Sequence, residues 1–319
     1  MPLVNMQDML QHAYRYGYAV GAFGVAGWDI LEGVVAAAEA MRAPIILSLS
    51  KTYPGMDNDN IESLALAVVG MAQRATVPVS FQVEVEDDPQ AVEEAVHMGC
   101  GGVVFDASQH AFPANVALTK KAVDLAASRG AIVVGQLANL DNGEATESAA
   151  GRSTSPIEAK HYVERTGVAC LAVSVSRMEQ GYAKHDFSRL AKINQVLGIP
   201  LGIHGGSGLS DDQFRRMISF GAAKINYSTP LFEVVARRMR ENALMPDAGY
   251  AGLVEQARDA IRIEVERCIR LWGCGGRAAE ILQQSRVWTP GATCDAAVTV
   301  GVPGIAASDA ASIFTKRRS

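Results

Sequence analysis

The chain has 319 residues, 49% of them hydrophobic and 20% charged, which is the composition of a globular protein long enough for a large core. A formal net charge of −5, and no basic run longer than Lys316-Arg317-Arg318, argue against nucleic acid as a partner. Five cysteines without a CxxC pair, no apolar leader, and no apolar segment of the roughly 20 residues that span a bilayer predict a cytoplasmic protein with no membrane partner.

Along the chain, short runs rich in Val, Ile and Leu alternate with longer amphipathic stretches. This alternation is typical of β/α units that build a parallel sheet. Eight strands are predicted, at residues 18–25, 44–50, 77–85, 102–106, 131–137, 170–176, 200–204 and 223–227. Eight units favour an α/β fold of the (β/α)₈ TIM barrel type, because an open doubly wound sheet has fewer strands and an early GxGxxG motif.

Helix starts are indicated at Asp29, at Ser155-Pro156 and at Ser210-Asp211-Asp212, where a capping oxygen or a first-turn proline precedes the apolar periodicity. Beyond the eighth strand, residues 231–244 and 250–272 predict two more helices. The second has a strongly charged face, and helices added in this way often make subunit contacts.

Residues 1–285 are therefore predicted to form one barrel domain with a C-terminal helical extension. Residues 286–319 differ, since Ala, Gly, Ser, Thr, Pro and Val dominate and charge is almost absent until Lys316. This segment is either a mobile tail or an arm laid over a neighbouring subunit.

In a barrel the chemistry belongs at the C-terminal ends of the strands. His204 ends the seventh predicted strand and is followed by the turn Gly205-Gly206-Ser207-Gly208, whose backbone is able to approach a ligand closely. Asn226, Ser228 and Thr229 follow the eighth strand. These two turns predict a phosphate site, because strands seven and eight commonly hold phosphate in barrels; the alternative is that they are only tight turns.

Several segments together resemble the class II, metal-dependent ketose-bisphosphate aldolases, which include the fructose- and tagatose-bisphosphate aldolases. They are Val20-Gly21-Ala22-Phe23, Asp106-Ala107-Ser108, Asn115-Val116-Ala117-Leu118, Thr166-Gly167-Val168, His204-Gly205-Gly206-Ser207-Gly208 and Lys224-Ile225-Asn226. The resemblance implies a (β/α)₈ barrel, a homodimer or homotetramer, and a divalent metal, normally zinc, that polarises the carbonyl of dihydroxyacetone phosphate.

The resemblance also implies three metal-binding histidines, of which only His204 is present. The family's His-Leu-Asp-His segment reads Gln82-Val83-Glu84-Val85, so Val85 replaces a ligand and Glu84 replaces the catalytic aspartate. After strand six, Glu179 stands at the third ligand position. Gly24 stands near a position where the family has a substrate-contacting asparagine.

Other positions that the family uses are kept. Asp106, Glu144, His204, Ser207, Asn226 and Thr229 match family residues, and Ser50 aligns with a serine that faces the substrate. The resemblance assigns Gly181, Gly205 and Ser228 to substrate or phosphate binding as well. Glu144 lies in a loop that supplies a proton-transferring carboxylate in the family, although an exposed loop acid is an equal alternative.

Three mechanisms fit these residues. A metal site rebuilt from His204, Glu179 and either Glu84 or Asp106 would favour Mg²⁺ or Mn²⁺ over zinc. Alternatively, no metal binds, and Glu84, Glu179 and His204 transfer protons directly during aldol cleavage, dehydration or isomerisation of a phosphorylated hydroxy-ketone. A lysine Schiff base is the third, for which Lys51 and Lys184 are candidates.

Arg177 stands where the family has a small polar residue. It either meets an anionic group of the substrate or neutralises Glu84 or Glu179. A different class of function stays open beside the enzymes: a barrel without catalysis that binds a phosphorylated ligand or serves as a scaffold.

Overall fold

The computed structural model describes residues 3–53, 56–137, 155–173, 176–179, 182–204, 209–245 and 249–290, with the backbone alone at 58, 59, 176–179 and 182–185. The strands are β1 (Val20–Gly24), β2 (Ile45–Ser50), β3 (Val79–Glu86), β4 (Gly102–Asp106), β5 (Ile132–Gln136), β6 (Cys170–Val173), β7 (Ser176–Glu179), β8 (Tyr182–His185), β9 (Leu201–Ile203) and β10 (Ala222–Tyr227).

Eight of these strands form a closed, all-parallel barrel in the order β1-β2-β3-β4-β5-β6-β9-β10, and β10 pairs with β1 to close it. The predicted (β/α)₈ barrel is thus confirmed, and each predicted strand overlaps an observed one. Their Val- and Ile-rich sequences suit strands that are covered on both faces, as parallel strands are.

The helices surround the barrel. They are α1 (Met6–Tyr16), α2 (Trp28–Met41), α3 (Asn58–Arg74), α4 (Pro89–His97), α5 (Phe112–Ala127), α6 (Pro156–Thr166), α7 (Phe187–Leu197), α8 (Asp211–Ser219), α9 (Thr229–Ala243), α10 (Tyr250–Trp272) and α11 (Ala278–Gln284). The predicted C-terminal helical extension corresponds to α9, α10 and α11.

The helix-start predictions hold at two of three places. Ser155 and Ser210 both cap their helices through complete capping boxes, with Glu158 and Gln213 as the reciprocal partners. At α2 the prediction was wrong in detail, because Gly27 is the N-cap and has no side chain to bond the helix. Asp29 lies in the first turn instead, where its charge suits the helix dipole.

The segment after β6 also differs from the prediction. The sixth strand was predicted to run to residue 176, but β6 ends at Val173, and Ser176 begins β7, which pairs with β8 in an antiparallel hairpin outside the barrel. A four-residue strand in a sequence without apolar alternation gives no clear signal in the sequence.

The charged face of α10 makes contacts within the chain. Arg258 lies 3.0 Å from Glu32 of α2, and Arg267 lies 2.9 Å from Asp211 of α8. These ion pairs are exposed, so each contributes little stability. They do hold the added helix against the helices that surround the barrel.

Both described ends of the chain meet at the N-terminal end of the barrel. Val4 forms an antiparallel bridge with Val287, and its N–H also bonds the carbonyl of Val79, at the start of β3. Trp288 is 7% exposed and donates from Nε1 to the carbonyl of Gly99 at 2.9 Å. Residues 286–290, the start of the predicted tail, therefore pack on the barrel, while 291–319 lie outside the described residues.

We expect Trp288→Ala to lower the free energy of unfolding by about 3–5 kcal/mol, because a large buried side chain and its hydrogen bond are both lost. Trp288→Phe keeps most of the ring but leaves the Gly99 carbonyl without its donor, so a loss of about 1–3 kcal/mol is expected. Urea denaturation followed by circular dichroism measures both. Midpoints equal to that of the wild type would show that residues 286–290 do not stabilise the barrel.

Within the described part of the chain, no helix is long and apolar enough to cross a membrane. The predicted cytoplasmic location and the predicted homodimer or homotetramer stay predictions.

Candidate active site

A cavity of about 470 Å³ opens at the C-terminal ends of the barrel strands. Its volume lies in the range of small-molecule sites, and its position is the one at which barrels carry their chemistry. Four residues that end a barrel strand or directly follow one line it, together with Glu84, which lies two residues before the end of β3: Ser50, Asp106, Gln136 and His204. The structure thus brings together four residues that the sequence singled out, namely Ser50, Glu84, Asp106 and His204.

Glu84 is held on β3 by hydroxyl groups. Its Oε1 accepts hydrogen bonds from Ser48 Oγ at 3.0 Å and from Tyr53 OH at 3.3 Å. Burial raises the pKa of Glu84, while the Lys224 ammonium and these hydroxyl donors act in the opposite direction. A carboxyl group with a raised pKa at a cavity is suited to exchange protons near neutral pH.

A hydroxyl pair fills the space beside Glu84. Tyr53 OH and Ser228 Oγ lie 2.7 Å apart, linking the segment after β2 to the end of β10. A Cβ atom at Gly24 would lie 2.5 Å from Ser228 Oγ and 3.0 Å from Tyr53 OH. The absence of a side chain at Gly24 therefore leaves room for this pair.

His204 is bound by Asn226, which lies on the neighbouring strand β10. Asn226 Nδ2 lies 2.7 Å from His204 Nε2 and 3.2 Å from Nδ1, and Asn226 Oδ1 accepts from Lys224 Nζ at 2.5 Å. Burial, together with the nearby Lys224 ammonium, lowers the pKa of His204 to about 3. Burial lowers the pKa of Lys224 to about 8, although Cys170 and Glu84 favour its charged form. The histidine is therefore neutral at physiological pH.

Asp106 is held at the end of β4 by two donors. Its Oδ1 accepts from the Ser108 backbone N–H at 2.9 Å, and its Oδ2 accepts from Gln136 Nε2 at 2.6 Å. Both donors fix the orientation of the carboxylate at the cavity.

Two other predicted residues lie at the rim. Ser50 Oγ lies 2.8 Å from Thr52 Oγ1 and accepts from the Thr52 backbone N–H at 3.2 Å. Lys51 is 42% exposed and lies 3.7 Å from Glu94, so its setting is that of a surface ion pair. Such an amine is a poor candidate for a Schiff base, because it is solvent-exposed and paired with a carboxylate, both of which favour its charged form.

The described residues do not fit the three-ligand metal site that the resemblance implies. Among them, no group of three His, Cys, Asp or Glu side chains is placed to hold a metal ion. Val85 lines the cavity without a donor atom, and His204 Nε2 already faces the Asn226 amide. The side chain of Glu179 lies outside the described residues.

Several other predicted site residues also lie outside the described part of the chain. They are Glu144, Gly181, Gly205 and Ser207, together with the side chains of Arg177 and Lys184. Thr229 is described, and it begins helix α9 directly after β10. The predicted roles of all these residues stay predictions.

Sequence reasoning did not place Tyr53 or Lys224 in the site, although it did list Ser48 and Gln136 among the strand ends. Tyr53 and Ser228 are 175 residues apart, so no local pattern joins them. Lys224 carried one usable signal, since a lysine in the middle of a buried strand is unusual. A charged residue inside an apolar run thus deserves to be tested as part of a site.

The family of the chain follows from comparison with known proteins. The family model described as "Fructose-bisphosphate aldolase class-II" matches residues 4–277. The chain belongs to this family and is therefore an aldolase-like lyase.

Proteins similar to this chain align with it over most of its length. Fructose-bisphosphate aldolase of Geobacillus stearothermophilus is 31% identical over 293 residues, which are 88% of this chain and all of that protein. The uncharacterized protein YdjI of Escherichia coli K12 is 33% identical over 266 residues, 82% of this chain and 94% of the relative. The crystal structure of the YdjI aldolase from E. coli K12 superposes with a TM-score of 0.76 at 30% identity, covering 86% of this chain and 99% of that one.

Proposed function

We propose that the protein cleaves and forms a carbon–carbon bond of a phosphorylated hydroxy-ketone by direct proton transfer, without a metal ion. The observation that carries this proposal is the pairing of Glu84, a carboxyl with a raised pKa, with a neutral His204 at the same cavity. Two groups whose environments push their pKa values in different directions are suited to act as base and as hydrogen-bond donor.

In the cleavage direction, the Glu84 carboxylate removes the proton of the hydroxyl group on the carbon that becomes the aldehyde. The carbon–carbon bond breaks, and its electron pair moves into the neighbouring carbonyl, which becomes an enediolate oxygen. A neutral His204 N–H donates a hydrogen bond to that oxygen, which stabilises the charge that develops on it. The proton that Glu84 took up then passes to the enediolate carbon, which returns Glu84 to the carboxylate form and releases the second product, a keto phosphate.

We assign the phosphate group to the ends of β9 and β10, as the sequence predicts. Thr229 begins α9, and the N-terminus of a fifteen-residue helix offers free N–H groups to an anion. This assignment extends the sequence prediction for Ser228 and Thr229. It also leaves Glu84 and His204 for the reacting carbons.

The first experiment is a cleavage assay with a panel of five- to seven-carbon ketose phosphates, in which a dehydrogenase that oxidises NADH detects the released triose phosphate. We expect one class of substrate to be cleaved, and we expect dialysis against EDTA to change the rate less than about twofold, because the described donors hold no three-ligand metal site. Loss of the rate on chelation, with recovery on adding Zn²⁺ or Mn²⁺, would overturn the metal-free mechanism.

The alternative function, a barrel that binds a phosphorylated ligand without reaction, has one observation in its favour: Val85 replaces a ligand of the family's metal. The same panel separates the two functions. A ketose phosphate that raises the melting temperature but is never cleaved supports the alternative. Borohydride trapping of a substrate adduct would instead support a lysine Schiff base.

A further inference from the structure

Lys224 is an ammonium group inside the barrel. It is fully buried on β10, and Asn226, the next residue on the same strand face, accepts its hydrogen bond at 2.5 Å. A buried ammonium is costly unless it is compensated. Here the hydrogen-bond partner is a neutral amide, and the Glu84 carboxylate favours the ammonium electrostatically without a described hydrogen bond to it, so the arrangement is a weak way to stabilise the barrel.

The Lys224 ammonium fixes the orientation of the Asn226 side-chain amide. Because an ammonium only donates, the oxygen of the amide must face Lys224, and the NH₂ group must face His204. That NH₂ group also only donates, so the ring nitrogen facing it must carry no proton. Nε2 is the nearer nitrogen, at 2.7 Å against 3.2 Å for Nδ1.

We propose that Lys224 is a positioning residue that acts through Asn226 to hold His204 as the tautomer protonated on Nδ1. The Nδ1–H is then the group that donates to the carbonyl or enediolate oxygen of the ligand, and Nε2 is not available as a base. Without the ammonium, the amide is free to turn over and present its oxygen to the ring, which selects the opposite tautomer. The role of Lys224 in the reaction rests on the proposed function, whereas its effect on the His204 tautomer does not.

The test is ¹⁵N NMR of the full chain with labelled histidine, in which protonated and unprotonated imidazole nitrogens have distinct chemical shifts. His204→Gln assigns the signal among the six histidines. The proposal expects a single tautomer, protonated on Nδ1, in the wild type and a mixture or the opposite tautomer in Lys224→Met. In Asn226→Asp the side chain keeps nearly the same shape, but the carboxylate only accepts hydrogen bonds. The His204 nitrogen that faces residue 226 is therefore expected to be protonated in this variant.

Cys170→Ala is the matched control. Cys170 is buried and interacts electrostatically with Lys224, but it has no hydrogen bond to Asn226 among the described contacts. The His204 signal is expected to keep its wild-type shifts in this variant. If Lys224→Met does not fold, Asn226→Asp carries the test by itself.

A wild-type tautomer in Asn226→Asp, or in folded Lys224→Met, would overturn the proposal whatever the protein catalyses. In the cleavage assay, folded Lys224→Met is expected to lose at least about tenfold in kcat with a smaller change in KM, since the lost interaction acts on the transition state. If the variants change the His204 tautomer but the wild type cleaves no substrate, the positioning role of Lys224 is supported and the proposed reaction is wrong.

Discussion

Replacing Glu84 with glutamine is expected to lower kcat/KM for cleavage by about 10²- to 10⁴-fold, which is the usual contribution of a positioned general base. Glutamine keeps the shape of the side chain and still accepts from Ser48 and Tyr53, but it takes up no proton. The measurement is the coupled cleavage assay on purified variant and wild type. Activity within a few-fold of the wild type would remove Glu84 from the reaction.

The pH dependence gives a second readout of the same residue. A base works above its pKa, and burial raises the pKa of Glu84, so the acid limb of the wild-type kcat/KM profile is expected above the usual carboxyl range. The residual activity of Glu84→Gln is expected to lack this limb. Glu62→Gln, at an exposed carboxylate of α3, is the control and should keep the wild-type profile.

Glu84→Gln is also expected to leave the fold at least as stable as the wild type. The pKa of Glu84 is raised in the folded state, so the folded protein binds its proton more tightly than the unfolded chain does. Above the ordinary carboxyl pKa this difference lowers the stability of the wild type, and the effect is absent at low pH. The free energy of unfolding of the variant at pH 8 is therefore expected to equal or exceed that of the wild type.

The second large effect is expected at Trp272, where α10 ends. Its side chain is 1% exposed and packs on Phe23, Phe214 and Tyr227, with ring centroids 5.5 to 5.8 Å away. Trp272→Ala is expected to lower the free energy of unfolding by about 3–5 kcal/mol, because it leaves a cavity between the barrel and its added helices. Chemical denaturation measures this loss.

The matched control for Trp272→Ala is the same substitution at Trp28, which is 48% exposed at the start of α2. Trp28→Ala is expected to change stability by no more than about 0.5 kcal/mol. A loss at Trp272 no larger than the loss at Trp28 would show that α10 is not anchored by this ring. The two variants together separate the effect of burial from that of residue type.

The barrel was predictable because its strands are short apolar runs at regular spacing, and β4 was predicted to the residue. The helix caps at Ser155 and Ser210 were predictable for a similar reason, since capping depends on residues only three positions apart. The hairpin of β7 and β8 was not, because its residues have mixed polarity. Strands and helix caps are predictable where a local sequence pattern specifies them, and the hairpin has no such pattern.

The site was predictable only in part. The positions of Glu84, Asp106 and His204 follow from the rule that strand ends meet, and the structure brings these three to one cavity. The partners of these residues do not follow, because Tyr53 and Lys224 reach Glu84 and His204 from neighbouring strands that are far apart in the sequence. A sequence shows which groups end each strand, but the pairings depend on how the strands are tilted and staggered.

The position of the terminal contacts affects which substitutions the protein is expected to accept. Val4, Val287 and Trp288 meet at the N-terminal end of the barrel. The contacts that close the chain lie at the opposite end from the cavity, so a substitution at the cavity rim leaves them intact. We expect a chain built in this way to accept substitutions at its cavity with little loss of stability. Val85, which stands where the resemblance implies a metal-binding histidine, is an example of such a change in a barrel that keeps the fold of its relatives.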